Sequence, residues 1–423
     1  MTQVRTRALF CDLLNLPRGK YVPPHVAKGG RIGFARGAFG VSFDRDLLPV
    51  PGIGMFEGLP DMELVLDEER RLSWQPNTEI ALGDLHADGA PFGLCGRSQL
   101  KRTIAEWGAL GYTPMVGLEL EAYVFQQDAD GVWRPYDTPG AFVYGTGPAN
   151  DPAGLTDAIW ERAAEVGLPL ESLNGEYDNG QFELTLCFDN ALKACDDAFL
   201  FRTMAKEEAL KRGLMLSFMP KPINERGGSG LHVNFSFADK KGKNAIAPDG
   251  QLSSLASHSI AGLLHHHEGL AGLLGPTVNS YDRLGPASMA GYWANWAEDH
   301  RLVTIRTSSK SPNTARIEHR MADNSANPYV AVAAVLQAAK HGFEQTMELP
   351  AAEDLDGLEN VRATRHVPSS LGKSLDALDK DKDLRLAVGE LLCEGHLLLK
   401  RDEVSRLADK SVDEIRDYYL PFV

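Results

Sequence analysis

Four segments of this chain alternate apolar and polar side chains with period two, and their polar positions carry carboxylate, imidazole or guanidinium groups. In MVGLELEAYVF, Val116, Leu118, Leu120, Ala122 and Val124 share one face and Glu119, Glu121 and Tyr123 the other. In GQFELTL, Phe182, Leu184 and Leu186 oppose Gln181, Glu183 and Thr185. GLHVNFSF sets Leu231, Val233, Phe235 and Phe237 against His232, Asn234 and Ser236. ARIEHRM sets Ala315, Ile317, His319 and Met321 against Arg316, Glu318 and Arg320. Each pattern predicts a strand with one face in a core and one polar face. For any single strand, charges facing water are the plain explanation. If the four polar faces meet in one cavity, their carboxylates repel unless cations lie between them. Oxygen donors with an occasional imidazole suit Mg²⁺ or Mn²⁺ rather than zinc, and arginines at the rim suit phosphates or a substrate carboxylate.

The rest of the chain supplies a frame for such a surface. At 423 residues it exceeds the usual single-domain size. Residues 1 to about 90 are rich in Gly and Pro, with short apolar runs such as RALFCDLL, and read as a small, mostly β domain. From Arg97 the spacing turns helical, with Leu100, Ile104, Trp107 and Leu110 on one stripe. Further helices are expected over 155–166, 194–211, within 251–274, and over ANPYVAVAAVLQAAKHGF with Pro328 in its first turn. The charged stretch 351–423 reads as helical, with KDKDLR a solvated turn. His265–His267 reads as a packed or solvated cluster rather than a metal site, and His319 as a satisfied core histidine. Trp293 and Trp296 could line an entrance or fill core.

Composition removes several functions. A net charge of -15 argues against nucleic-acid binding, which needs a basic face. Five cysteines without a C-x-x-C pair point to reduced thiols in a cytoplasmic protein. No uncharged run reaches membrane-spanning length and the start is unlike a signal peptide, so a soluble protein is expected.

Motif order is more specific than alternation. GLELEAYVF carries an E-x-E; NGEYDNGQFELTL carries E-x-x-x-G-Q-x-E; MPKPINERGGSGLHVNFS joins a Lys-Pro pair to a glycine-rich stretch and a histidine. NSYDRLGP, HRLVTIR and RIEHRMADNSANPY follow. In this order the motifs resemble the glutamine synthetase family over nearly the whole chain, from CDLLNLPRGKYVP to NPYVAVAA. The resemblance implies an α+β fold: a β-grasp domain over 1–95, then a catalytic domain over 96–423 with a curved antiparallel sheet and surrounding helices. It implies one metal on Glu121, Glu176 and Glu183, and a second on Glu119, His232 and Glu318, bridging the nucleotide phosphates. It assigns Arg283 and Arg320, with the Gly227–Gly230 loop and Gly228 in it, to the amino acid. Arg301, Arg306 and Arg316 fall to the ATP phosphates and the phosphoryl group in transfer, with Asn234 and Ser236 on the nucleotide side. Active sites in the family lie between subunits of rings, usually dodecamers, so Asp61 would serve a neighbour's site. The partners implied are glutamate, ATP and an amine, with Mg²⁺ or Mn²⁺, and neither nucleic acid nor membrane.

Three departures concern the nucleophile. Where ammonia-using members carry a flap glutamate, this chain has Met289 beside Ser288, with no acid before Glu298. The family's phenylalanine-aspartate-glycine-serine-serine segment survives only as SFDRDLL, with Asp44 the better match for its aspartate and Asp46 the second. Asn234 replaces a second histidine, and Gly227 an asparagine. A pocket for ammonium works by charge, so a thioether wall favours an organic amine and a γ-glutamylamide product. The alternatives are a glutamine synthetase using ammonia, with Glu298 or Asp299 swinging in, and a non-catalytic relative. All six matched ligands are retained, against the latter. A phosphagen-type kinase would not need both ligand sets.

Overall fold

The computed structural model describes residues 4–354 and 361–423, and among these two sheets form. The first comprises β1 (Arg5–Cys11), β2 (Pro17–Val22), β3 (Arg31–Ala35), β4 (Asp61–Gln75), β5 (Thr78–Ala87) and β6 (Ala90–Pro91). Its order is β2-β1-β5-β4-β3, with β1 and β5 parallel at the centre and β6 paired to β5. Phe10 anchors its buried face, edge-on to Phe34 and stacked on Phe39.

The second sheet comprises β7 (Thr113–Gln127), β8 (Trp133–Pro135), β9 (Leu170–Gly175), β10 (Gln181–Leu186), β11 (Asp189–Asn190), β12 (Leu214–Ser217), β13 (Leu231–Ala238), β14 (Trp296–Glu298), β15 (Ile305–Ser308) and β16 (Arg316–His319). Its order is β14-β15-β16-β13-β7-β10-β9, with β8, β11 and β12 pairing along β7. The four alternating segments are therefore β7, β10, β13 and β16, and they are contiguous. Pairing is antiparallel except for β14 and β15, which run parallel because residues 299–304 carry the chain back along the edge.

The predicted apolar faces are buried without exception, from Val116 on β7 to Met321 just past β16. They pack on helices whose stripes the spacing foretells. In the helix Gly96–Ala109, Trp107 lies 4.1 Å from Phe237 between ring centroids and donates to the Leu336 carbonyl in the helix Pro328–Glu344. Asn327 caps that second helix through the Tyr329 and Val330 amides, with Pro328 in the first turn. The first sheet contributes to the same buried cluster, so both sheets share one core.

Some expectations need correction. The stretch within 251–274 forms two helices, Ser254–His265 and His267–Leu274. They part at His266, whose ring nitrogens lie 2.7 Å from Asp381 Oδ2 and 2.6 Å from His341 Nδ1. KDKDLR is not a solvated turn: Asp381, held by His266, caps a helix over Lys382–Val388. The C-terminal stretch is otherwise helical over Leu371–Lys380, Glu390–Leu407 and Val412–Tyr419, while residues 355–360 lie outside the described residues. His319 is buried, but neither ring nitrogen has a hydrogen-bond partner among the described residues. Burial, with His267 nearby, pushes its pKa down to about 3, so it stays neutral.

One ionic hub ties the first sheet to the helices behind the second. Arg97, buried at the start of its helix, reaches Asp67 on β4 (2.7 Å), Asp84 on β5 and both oxygens of Asp196 (2.9 Å each). Asp196 is itself wholly buried and accepts from the Tyr329 hydroxyl at 2.7 Å. Removing one partner of a buried pair strands the other charge. Arg97→Met should therefore lower unfolding free energy by about 3–5 kcal/mol, read by chemical denaturation.

Candidate active site

Strand register, not loop placement, assembles the polar surface. His232 stands opposite Glu119, and Glu119 in turn opposite Thr185. One pleat further along β7, Glu121 stands opposite Glu183. On the other side, Asn234 stands opposite Glu318, and Glu318 opposite Arg306. Four carboxylates and one imidazole thus converge from the strands, because directly opposed side chains on one sheet face are only about 5 Å apart.

They form two groups. Ligand atoms of Glu119, His232 and Glu318 lie within 4.8 Å of one another, and so do those of Glu121, Glu176 and Glu183. All six predicted ligands are brought together, and Glu176 joins from the loop after β9. His232 sits between the groups, with Nδ1 3.0 Å from Glu119 and Nε2 3.7 Å from Glu121.

Electrostatics separate the two groups. Burial opposes ionisation of Glu119, yet hydrogen bonds from His232 and Asn234 and the charge of Arg320 outweigh it and hold the pKa at about 2. Glu318, likewise buried, is kept low by His232, Arg320 and Arg306. In the second group burial and the surrounding carboxylates act together, raising Glu176 and pushing Glu183 up to about 7. Two groups of oxygen donors, one with a single imidazole, fit hard divalent cations, whose charge would favour the ionised form of Glu183.

The arginines divide. Arg320 pairs with Glu318 and points a second nitrogen at the Met289 carbonyl, 3.4 Å away. Arg306 lies 3.0 Å from Glu318, and Arg316 donates to Asn234 Oδ1 at 3.1 Å. Asn234 passes the link on, its Nδ2 donating to Glu119 at 2.8 Å. Beside them a cavity of about 260 Å³ opens, lined by Met115, Thr185, Asn234, Ser236 and Arg316. Arg283 is buried under the glycine loop and donates to the backbone carbonyls of Met321 (2.8 Å) and Arg320 (3.1 Å). A Cβ at Gly228 would lie 2.5 Å from the Arg283 side chain, and one at Gly230 2.5 Å from Nη2. Both glycines therefore make room for that arginine, a role the sequence did not suggest.

Three predicted residues are not drawn into either group. Arg301 is exposed in the turn before β15. Asp61 is exposed at the start of β4. Asp44 accepts from the Tyr418 hydroxyl at 2.7 Å, and Arg406 lies 2.8 Å from Asp46, so this loop is docked on the C-terminal helices. Conversely, sequence reading passed over Asn324, which donates to the Gly230 carbonyl at 2.7 Å, and Asp178, which accepts from the Gly227 amide at 2.5 Å. Neither lies on an alternating strand. Trp296 donates to the Pro350 carbonyl, and Trp293 packs edge-on against His366.

Comparison with known proteins agrees with this geometry. Residues 93–419 match the family model described as glutamine synthetase, catalytic domain. A glutamine synthetase of Pyrococcus abyssi is 34% identical over 393 residues, covering 90% of this chain and 86% of its own. A gamma-glutamylethanolamide synthetase of Streptomyces coelicolor is 33% identical, covering 83% and 78%. A gamma-glutamylputrescine synthetase of Escherichia coli is 30% identical, covering 94% and 87%. Among solved structures, a GmaS/ADP complex superposes with a TM-score of 0.85 at 27% identity, covering 99% of this chain and 97% of its own. The chain belongs to the glutamine synthetase family.

Proposed function

We propose that this enzyme uses ATP to activate the γ-carboxylate of glutamate and joins it to an organic amine, giving a γ-glutamylamide. The observation that carries the reading is the pair of facing ligand groups on one rigid sheet, flanked by Arg306, Arg316 and Arg320. Divalent cations held by Glu119, His232 and Glu318, and by Glu121, Glu176 and Glu183, would neutralise phosphate charge there. The cavity beside Asn234 and Ser236 suits the nucleotide, and Arg316 and Arg306 lie where its phosphates would enter. Arg301, exposed in its turn, is free to reach the phosphoryl group during transfer. Arg320 and Arg283 suit the amino acid, Arg320 by direct contact.

In the first step a γ-carboxylate oxygen attacks the terminal phosphorus and ADP leaves. The amine nitrogen then attacks the acyl carbon, phosphate leaves, and the nitrogen loses a proton. Asp44 is our candidate for receiving it. Since Asp44 and Asp61 are not joined to the ligand groups of their own chain, we assign them to a neighbouring copy in a ring-shaped homo-oligomer, a dodecamer by analogy with the family. Among the described residues no helix is long and apolar enough to cross a membrane.

Met289 supports the organic amine. It stands in a left-handed turn with φ of 58° and is 46% exposed at the rim beside Arg320. The nearest acids after Met289, Glu298 and Asp299, are engaged elsewhere. Glu298 accepts from Thr307 Oγ1 and the Ser309 amide, and Asp299 pairs with Lys310. Relatives named for ethanolamide and putrescine products show that the family accommodates such amines.

Phosphate release from ATP with Mg²⁺, glutamate and a panel of amines tests the reading. Turnover with one class of alkyl or aryl amine should far exceed turnover with ammonia; ammonia as the best nucleophile would return the chain to ordinary glutamine synthesis. Met289→Glu should restore an acid at the flap and lower KM for ammonium by about tenfold, the scale of one charge-assisted contact. Metal affinity should depend on pH. Glu183, at about 7, is protonated below that value and its proton competes with the cation. Mn²⁺ affinity should therefore rise as pH increases towards about 7 and level off above it, by calorimetric titration. Glu183→Gln should weaken binding and flatten that profile.

A further inference from the structure

The glycine loop is tied down at each of its residues. Gly230 N donates to Glu121 at 2.7 Å, and Gln181 Nε2 donates to the Gly228 carbonyl at 3.0 Å and the Ser229 hydroxyl at 3.3 Å. Tyr123 donates its hydroxyl to the Gly227 carbonyl at 2.9 Å. Asp178 closes the set: its Oδ2 accepts from the Gly227 amide at 2.5 Å and lies 3.5 Å from the Tyr123 hydroxyl.

Asp178 has no ion-pair partner of its own among the described residues, and Arg226 acts on its charge only through space. Among the described residues its Oδ1 takes no hydrogen bond, and no cation forms an ion pair with either oxygen. Arg226, at the start of the loop, is committed instead to both oxygens of Asp137 (2.7 and 2.8 Å) and to the Asn179 carbonyl. The carboxylate is half-buried, so water compensates it only in part. It lies two residues from Glu176 and against the loop that covers Arg283. Its place is matched to Gly227, because a Cβ there would come within 3.0 Å of Oδ2. The asparagine expected at 227 from the family pattern is thus replaced by a glycine with a carboxylate pressed against it.

We infer that Asp178 is a binding residue for a substrate ammonium group, its Oδ2 holding the loop while its Oδ1 meets the incoming cation. This rests on the ligase reading of the site. Two substrates carry an ammonium: the amino acid at its α-carbon, and the amine before it is deprotonated. Met289 removes charge at the flap, and Asp178 supplies it beside the glycine loop.

Asp178→Asn separates charge from tie, since the amide oxygen still accepts from Gly227 N. KM for glutamate, for the best amine and for ATP would be measured for the wild type, Asp178→Asn and Tyr123→Phe. The expected result is a rise of about tenfold in KM for glutamate or for the amine in Asp178→Asn, with KM for ATP within about twofold of wild type. Whichever KM moves names the ammonium that is bound. If neither moves, or if all three shift together as in Tyr123→Phe, Asp178 is a loop tie and the inference fails. The wild type serves as the separate check on the ligase reading: no product with any nucleophile overturns that reading, and the ammonium site with it. A working wild type with an unresponsive Asp178→Asn overturns only the ammonium site.

Discussion

Mutual repulsion of the carboxylates crowded on one sheet face is the constraint around which the structure is arranged. Glu119 and Glu121 on β7 adjoin Glu183 on β10, Glu318 stands on β16 with only β13 between, and Glu176 leans in from a loop. Left to itself such a surface would splay or protonate. One side escapes by recruiting cations of its own, His232, Arg320 and Arg306, and keeps its acids ionised. On the other side His232 also lowers the acids, but burial and the neighbouring carboxylates prevail and push Glu183 up to about 7.

Holding that surface together requires a stiff backing. The apolar faces of β7, β10, β13 and β16 are buried against helices, and the first sheet feeds the same core. Arg97 clamps the two layers through Asp67, Asp84 and Asp196. Strain on the polar face is therefore borne by packing behind it, where side chains interdigitate and yield little.

Legibility followed periodicity. The shared polar surface of Glu119, Glu121, Glu183, His232 and Glu318 could be read because a strand sends alternate residues to opposite faces, whereas Glu176, in a loop, was signalled only by its motif. The same rule buried His319 correctly, but the partners expected for its nitrogens are absent among the described residues, because alternation gives direction and not what waits there. KDKDLR looked like surface because nothing local reveals that His266 draws Asp381 into a cap. The resemblance assigns the Gly227–Gly230 loop to the amino acid but does not reveal that Gly228 and Gly230 also leave room for Arg283. Asp178, Asn324 and the docking of Asp44 on Tyr418 lie in irregular segments, where no period constrains direction.

The register that sets His232 against Glu119 and Glu121 against Glu183 also limits how this protein can diverge. Inserting or deleting one residue in any of these strands would exchange its ligand set for its apolar set, turning acids into the core and leucines onto the polar surface. Heritable change in the strands is thus confined to replacement at fixed length. The segments at 176–180, 227–230 and 285–291 carry no such parity, yet the first two are held by contacts of their own: Glu176 beside Glu121 and Glu183, and Gly228 and Gly230 against Arg283. A change of length there would leave both sheet faces as they are and disturb only those local contacts.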